Sequence, residues 1–288
     1  MIVNPRDLME DAQRNNYAVS GINATTLEGI QAVLSAAEEL GVPIILSHAQ
    51  VHEKYAPIDV FGPLLAAFAE KAKIPVVLHL DHGTQYSYIL KAIRYGFNSI
   101  MYDCAHLPLE ENIQKVKAFT ESAHEIGISV EAEVGTMPSN IVGMGGCTEY
   151  GKKIDRIEDY FTDPDIAGRF CRETKIDMLT ASFGTVQGFY IEKPVLDLER
   201  LRKIREASGI PLVMHGTTGV EEEQIKRAVK GGVRKFNYFT GVATSASLPI
   251  ENKIRNAEGP LYYHEIAQCA ADVMKVQAKH MIALLQSV

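Results

Sequence analysis

A carboxylate and an imidazole stand side by side at Asp81 and His82, directly after an apolar run at residues 76–80. Pro75 precedes that run, which is typical of a strand buried on both faces. Groups at the carboxyl end of a parallel strand face the crevice where α/β enzymes bind ligands. A simpler alternative makes Asp81 the cap of the next helix and His82 a packed histidine. The pair therefore becomes informative only together with the other strand ends.

The same kind of ending recurs along the chain. Each short apolar run is followed by a polar or ionisable residue, and a helical pattern separates it from the next run. These endings are Asn23, Ser47–His48, Asp81–His82, Asp103, Glu131 with Glu133, Ser182, His215 and Asn237. Buried ionisable groups are costly unless they are paired or bind a metal. Their shared position predicts a functional site where the strands end.

Three of these residues could form a metal site. The neutral imidazoles of His82 and His215 and the carboxylate of Glu133 suit zinc, and catalytic zinc sites use about three protein ligands and keep one position open. The three residues lie far apart in the sequence, so no spacing motif marks them. The prediction depends on the fold bringing them together.

The fold that would do so is a (β/α)8 barrel with a long loop after the fifth strand and a C-terminal helix. A doubly wound sheet is the main alternative, and we expect residues 1–288 to form a single domain. The predicted strands are 17–22, 43–46, 76–80, 99–102, 128–133, 177–181, 211–214 and 233–238. Helices are predicted at 26–40, 61–72, 86–95, 109–126, 164–174, 198–207, 221–230 and 262–285. Residues 135–159 form the long loop, which we expect to cover the barrel mouth.

Three loops rich in glycine and hydroxyl groups follow the last three strands, at residues 184–188, 215–219 and 237–240. Backbone N–H groups and hydroxyls at such places bind phosphate, and barrels often place a phosphate site after strands seven and eight. Each glycine alone could simply form a turn. Together the loops predict a phosphorylated ligand.

Composition excludes other partners. The chain has 29 basic and 36 acidic residues, hence a net charge of −7 and no basic stripe, which argues against nucleic acid. No apolar run approaches the length needed to span a membrane, and no signal segment is apparent. Four cysteines without CxxC spacing predict reduced thiols and a cytoplasmic protein. They are Cys104, Cys147, Cys171 and Cys269.

Jointly, the motifs resemble those of the class II, metal-dependent ketose-bisphosphate aldolases, which include fructose- and tagatose-bisphosphate aldolases. The resemblance covers essentially the whole chain. Its motifs are YAV at 17–19 with Asn23, HLDH at 79–82, EAEVG at 131–135, ASFGT at 181–185, MHG at 214–216 and KFN at 235–237 with Thr240.

The resemblance implies a homodimeric or homotetrameric barrel that reversibly cleaves a phosphorylated ketose to dihydroxyacetone phosphate and an aldehyde through an enediolate. A divalent metal, typically Zn²⁺, would polarise the ketone, and a monovalent cation is also allowed. His82 and His215 would bind the metal with Glu133, and Asp81 would exchange a proton with the hydroxyl beyond the cleaved bond. The predicted substrate- and phosphate-binding residues are Asn23, Gly188, Gly216, Thr217, Thr218, Asn237 and Thr240.

Two positions depart from the family pattern. Gln187 stands where the family has a third metal histidine, and an amide oxygen is a weaker ligand for zinc. In the long loop, Glu149 is the nearest match to the carboxylate that abstracts a proton beside the ketone, but it is displaced by one residue. These departures leave two alternatives open: a sugar-phosphate isomerase or epimerase on the same scaffold, or a sugar-phosphate-binding protein without turnover.

Overall fold

Eight parallel strands form a closed barrel in a computed structural model that describes residues 1–137, 157–188, 190 and 193–286. Each strand pairs with the next along the chain, and β1 pairs with β8. The strands are β1 Val19–Asn23, β2 Ile44–Ala49, β3 Val76–Gly83, β4 Ser99–Tyr102, β5 Ser129–Val134, β6 Met178–Ala181, β7 Leu212–Met214 and β8 Val233–Asn237. The predicted (β/α)8 barrel is confirmed, and closure between β1 and β8 excludes the doubly wound alternative.

Helices alternate with the strands and surround them. They are α1 Pro5–Asn15, α2 Leu27–Leu40, α3 Ile58–Lys71, α4 Tyr86–Arg94, α5 Leu109–Glu125, α6 Pro164–Thr174, α7 Leu198–Ser208, α8 Glu222–Lys230, α9 Thr240–Ser245, α10 Ser247–Arg255 and α11 Tyr263–Gln286. The predicted C-terminal helix is α11, whereas α1, α9 and α10 were not predicted. No helix in the described ranges combines the length and apolar character that a bilayer-spanning segment needs.

Local sequence signals explain where the helices begin and end. At the start of α2 the Thr26 hydroxyl accepts a hydrogen bond from the Gly29 N–H, and at its end Gly41 adopts a left-handed conformation with φ of 66°. Both are standard solutions for the unpaired backbone groups at helix ends. These caps set the ends of α2, and its buried face, with Ile30, Val33 and Leu34, packs in the core around the barrel.

Helix α1 closes the amino-terminal end of the barrel. Leu8, Met9 and Ala12 pack against the apolar residues that the strands turn inward at this end. Those residues are Val19, Ile45, Val77, Met178 and Val213. The opposite, carboxyl end therefore remains as the barrel mouth, where active sites of this fold lie.

Two predicted strand ends, those of β2 and β3, are three residues too early, and β3 continues to Gly83. Strand β2 continues to Ala49, so Ser47 and His48 lie within the strand and are buried. The Nε2 atom of His48 lies 2.9 Å from the Tyr88 hydroxyl, which in turn donates to Glu53. The strand was predicted to end where the apolar run ends. A buried strand can continue through polar residues when they find partners inside the protein.

Candidate active site

A cleft opens at the barrel mouth and encloses about 620 Å³, counting its solvent-open part, a size typical of small-molecule sites. Most of the predicted site residues line it. They are Asn23, Asp81, His82, Gln187, Gly188, His215, Gly216, Thr217, Thr218, Asn237 and Thr240. Glu133 lies behind the cleft wall, and Glu149 falls outside the described residues.

A bulge at the end of β3 brings Asp81 and His82 to the same cleft. Neighbouring side chains on a regular strand point to opposite faces. Here the pairing with β4 shifts between Leu80 and Gly83, and His82 has a φ of 47°. A left-handed non-glycine residue costs about 1–3 kcal/mol and often marks a functional site. The bulge therefore re-aims the His82 ring.

The two ring nitrogens of His82 have different partners. Nδ1 lies 2.7 Å from Oδ2 of Asp103, so it carries a proton and donates it to that carboxylate. This leaves Nε2 directed at Nδ1 of His215, at 3.1 Å. Burial alone would lower the pKa of His82, but Asp81 and Asp103 raise it to about 10. The surroundings of His82 thus favour a positive charge between the two rings.

His215 is oriented by a buried carboxylate. Its Nε2 lies 3.2 Å from Oε1 of Glu131, which also accepts a hydrogen bond from the Thr180 hydroxyl. The amide nitrogen of Asn237 is also near Nε2, at 3.1 Å, but a carboxylate is the stronger partner for an N–H donor. We therefore place the proton on Nε2, which leaves the Nδ1 lone pair facing His82.

Glu131 belongs to a polar network inside the barrel. Its Oε2 lies 2.5 Å from Nζ of Lys235, which also donates to Nε2 of His79 at 3.0 Å. Nδ1 of His79 bonds to the Ser99 hydroxyl. Burial would raise the pKa of Glu131, but the charge of Lys235 holds it well below its usual value. Burial and Lys235 lower the pKa of His79 to about 3, so His79 is neutral.

Gln187 reaches the same pair of rings. Its Nε2 lies 3.0 Å from Nε2 of His82. The nitrogen and oxygen of an amide are assigned from their hydrogen bonds, and a flip of the group would exchange them. Either way, the Gln187 amide lies beside His82, where the family pattern has its third histidine.

Asp81 is held ionised. Its two carboxylate oxygens accept hydrogen bonds from Asn23 at 2.7 Å and Asn237 at 3.0 Å. Burial would raise the pKa of Asp81, but the charges of His82, His215 and other nearby groups hold it well below its usual value. A carboxylate fixed in this way is suited to accept a proton from a bound hydroxyl.

Glu133 lies next to His82 but away from His215. Two overlapping groups of possible metal donors occur among the described residues: Asp81, His82 and His215 form one, and His82, Asp103 and Glu133 form the other. Burial and the charge of Asp103 raise the pKa of Glu133 to about 8, and its Oε1 is buried without a hydrogen-bond partner. The predicted set of His82, Glu133 and His215 is thus split by the geometry.

These residues fit a divalent cation. Two imidazole nitrogens turn toward each other, with the Gln187 amide and the Asp81 carboxylate nearby. The raised pKa of His82 places a proton on its Nε2, which donates to Nδ1 of His215, and a divalent cation would take the position of that proton between the two rings. Imidazole nitrogen with carboxylate or amide oxygen is a donor set for zinc and similar metals.

The glycine-rich loops form a further part of the cleft lining. Gly216 has a φ of 67°, and a side chain there would bring a Cβ within 2.2 Å of the Val186 carbonyl oxygen. Thr218 accepts a hydrogen bond from the Gly241 N–H and so ties the β7 loop to α9. The buried Thr217 hydroxyl has no partner among the described residues. This wall offers backbone and hydroxyl groups to a ligand.

Sequence reasoning noted Asp103, Glu131 and Lys235 but gave none of them a role. Polar residues two apart on a strand point to the same face. The chain has such pairs at His79 and Asp81 on β3, at Glu131 and Glu133 on β5, and at Lys235 and Asn237 on β8. That alternation could have predicted an internal polar network beneath the site.

Comparison with known proteins places these features in context. The family model for class II fructose-bisphosphate aldolase matches residues 3–288. The structure is similar to that of the YdjI aldolase from Escherichia coli K12, with 28% identity, a TM-score of 0.86 and coverage of 100% of this chain and 98% of that one. It is also similar to a candidate fructose-1,6-bisphosphate aldolase from Coccidioides immitis, with 26% identity, a TM-score of 0.83 and coverage of 99% and 96%.

A third likeness concerns the fold alone. The fructose-bisphosphate aldolase Fba from Campylobacter jejuni has 21% identity to this chain and a TM-score of 0.80, with coverage of 100% of this chain and 96% of that one.

Proposed function

From the premise that this chain belongs to the class II fructose-bisphosphate aldolase family and is an aldehyde-lyase, we propose that it cleaves a phosphorylated ketose to dihydroxyacetone phosphate and an aldehyde with the help of a divalent cation. The observation that carries this proposal is the facing pair of imidazoles at 3.1 Å beside the ionised Asp81. Lyase chemistry of this kind needs a site for positive charge and a proton acceptor in one cleft.

The cation is proposed to be held by His82 and His215, with Gln187 as a third donor and Glu133 within reach of His82. When bound, a divalent cation acts as a Lewis acid that polarises a carbonyl oxygen. The chain's own contribution is orientation: Asp103 fixes the His82 ring and Glu131 fixes the His215 ring. Such outer partners fix the tautomer of a ligating histidine.

Asp81 is proposed as the proton acceptor in cleavage. Its carboxylate takes the proton from the hydroxyl on the aldehyde side, that carbon becomes the aldehyde carbonyl, and the carbon–carbon bond breaks. The bonding pair passes to the dihydroxyacetone phosphate fragment, which then needs a proton at carbon. Glu149 remains the predicted donor of that proton, outside the described residues. Asn23 and Asn237 hold Asp81 in place for the first step.

The phosphate of the ketose is proposed to bind on the wall formed by the loops after β6, β7 and β8. Gly188, Gly216, Thr217, Thr218 and Thr240 line the same cleft as the histidines. The unpartnered Thr217 hydroxyl is a ready donor for a phosphate oxygen. This wall supports a substrate with a phosphate at one end.

The experiment that tests the function is a cleavage assay on ketose 1-phosphates and ketose 1,6-bisphosphates with coupled detection of dihydroxyacetone phosphate. We expect activity that chelation abolishes and that Zn²⁺ or another divalent cation restores. Isomerisation without release of a triose would instead favour the isomerase alternative. Absence of both reactions with a metal-loaded protein would contradict the proposal.

Assembly and location are proposed on separate grounds. Large apolar side chains are exposed on α10, on α11 and in the turn between them, which supports a homodimer or homotetramer. They include Leu248, Ile254, Tyr262, Tyr263 and Val276. The cysteines at 104, 171 and 269 are free thiols. Free thiols suit a reducing compartment and support the cytoplasm as the location.

A further inference from the structure

The wall of the cleft beyond β2 contains an unexpected histidine. His52 ends the short helical turn Gln50–His52 that follows β2, and it lines the same cleft as Asp81 and His82. Its ring centroid lies 4.5 Å from that of Phe239, in the loop after β8. Because β1 lies between β2 and β8 in the barrel, the His52 ring reaches across the end of β1.

The turn that carries His52 is firmly held. Gln50 accepts hydrogen bonds from the backbone N–H groups of Thr84 and Gln85, which anchors the turn to the loop after β3. Glu53, which directly follows the turn, accepts hydrogen bonds from the Ile58 N–H and from the Tyr88 hydroxyl. The position of the His52 ring is therefore built into the fold, as a substrate contact requires.

The ring has hydrogen-bonding capacity that the protein leaves unused. Nδ1 of His52 is buried and has no hydrogen-bond partner among the described residues. A buried polar atom without a partner is unfavourable and calls for an explanation. Burial and His82 lower the pKa of His52, against the opposing effect of Asp81, so the ring is neutral.

The described residues of this wall lack the positively charged side chains that a second phosphate site would use. Within the described ranges, no lysine or arginine lines the cleft, and the neighbours of His52 on this side are Ala49, Val51 and Phe239. The groups suited to phosphate lie in the loops after β6, β7 and β8. A second phosphate beside His52 would be desolvated against Ala49, Val51 and Phe239 without the glycine-loop backbone and hydroxyl groups that serve the first phosphate, which is unfavourable.

Building on the proposed function, we propose that His52 is a specificity-determining residue that contacts the aldehyde half of the substrate, and that this half is an unphosphorylated aldehyde. The neutral ring offers Nε2, the nitrogen that the protein does not bury, to a hydroxyl of the aldehyde, and Phe239 with Val51 packs against its carbon chain. The preferred substrate is then a ketose 1-phosphate rather than a ketose bisphosphate.

The test uses condensation of dihydroxyacetone phosphate with two matched pairs of aldehydes: glyceraldehyde with glyceraldehyde 3-phosphate, and erythrose with erythrose 4-phosphate. In each pair we expect the unphosphorylated aldehyde to have the larger kcat/KM, by at least tenfold. His52→Lys should shift this ratio at least tenfold toward the phosphorylated member by supplying a counter-charge. The neutral variant His52→Gln should keep the ratio, and Gln31→Lys, on the exposed face of α2, serves as the charge-matched control.

Preference of the wild-type enzyme for the phosphorylated aldehydes would overturn the inference, as would a ratio that His52→Lys leaves unchanged. If His52→Gln raised the KM of dihydroxyacetone phosphate as much as the KM of the aldehyde, His52 would lie at the phosphate instead, and the inference would also be overturned. Exchange of the carbon-bound proton of dihydroxyacetone phosphate with solvent separates the two proposals. If exchange occurs and neither unphosphorylated aldehyde reacts, this inference alone fails, whereas absence of exchange in the metal-loaded enzyme contradicts the proposed function.

Discussion

Nε2 of His82 lies 3.1 Å from Nδ1 of His215, although the two residues are 133 positions apart in the chain. Each ring is held from behind, His82 by Asp103 and His215 by Glu131. Two carboxylates that orient two imidazoles toward one point are typical of a metal site. The relationship motivates the predictions that follow.

The first prediction concerns Lys235, which lies inside the barrel and does not line the cleft. Lys235→Met removes the counter-charge of Glu131 and loosens the orientation of His215, so the affinity for Zn²⁺ should fall about 10- to 100-fold. The free energy of unfolding should fall by about 3–5 kcal/mol because a buried charge is left unpaired. Chelator competition and urea unfolding measure the two effects. Lys230→Met, on the exposed end of α8, is the control and should change neither, and an unaltered affinity in Lys235→Met would contradict the role assigned to Glu131.

The second prediction concerns the departure at Gln187. Gln187→His places an imidazole beside His82, where the amide lies now, and should raise the affinity for Zn²⁺ at least tenfold because imidazole is the better ligand. Chelator competition is again the measurement. Gln31→His, on the exposed face of α2, adds a histidine elsewhere and should have no effect. Equal affinities in all three proteins would show that residue 187 does not contact the cation.

The third prediction separates the proton acceptor from the cation. Asp81→Asn keeps a side chain of the same shape between Asn23 and Asn237 but removes the negative charge. Cleavage should slow by about 10²–10⁴-fold, the usual contribution of a general base. Exchange of the carbon-bound proton of dihydroxyacetone phosphate should fall much less, because it does not involve the aldehyde-side hydroxyl. Parallel losses in both reactions would refute this role of Asp81.

The fourth prediction concerns the pH dependence of stability. Burial is the main cause that lowers the pKa of His48 from 6.5 to about 4. Between these values the unfolded chain binds a proton that the folded protein does not. The stabilising effect of His48 is therefore complete above pH 6.5 and is lost as the pH falls, by about 1.4 kcal/mol per unit, or about 3 kcal/mol in all.

Urea unfolding of the wild type and of His48→Gln at pH 7, 6 and 5 checks this. The other buried histidines contribute equally to both proteins, so the difference isolates His48. We expect the free energy of unfolding to fall less steeply with acidification in the variant. Parallel pH profiles would contradict the burial argument.

The fold was predictable because barrel strands alternate regularly with helices and each helix has clear end signals. The three helices that were missed have different causes. Helix α1 packs under the barrel and belongs to no strand–helix pair, and α9 and α10 lie between β8 and α11, where no element was predicted. The hydrophobic pattern of a short helix is too brief to stand out from a loop.

The site was predictable in part. Asp81 and His82 could be placed beside His215 because β3 and β7 end at the same rim of a barrel. The split of Glu133 from His215 was not predictable, since it depends on distances between side chains of different strands that no sequence pattern fixes. His52 was missed because it lies six residues after the predicted end of its strand and makes no recognisable motif. Only the fold brings His52 close to the site, and the sequence around it does not reveal this position.

The central claim is that one divalent cation binds between His82 and His215, and anomalous diffraction at the zinc edge tests it most directly. Crystals of the zinc-loaded protein should show one peak at the barrel mouth, about 2.0–2.1 Å from both His82 Nε2 and His215 Nδ1. A zinc-loaded crystal with no peak there, or with a peak that contacts only one of the two rings, would contradict the account.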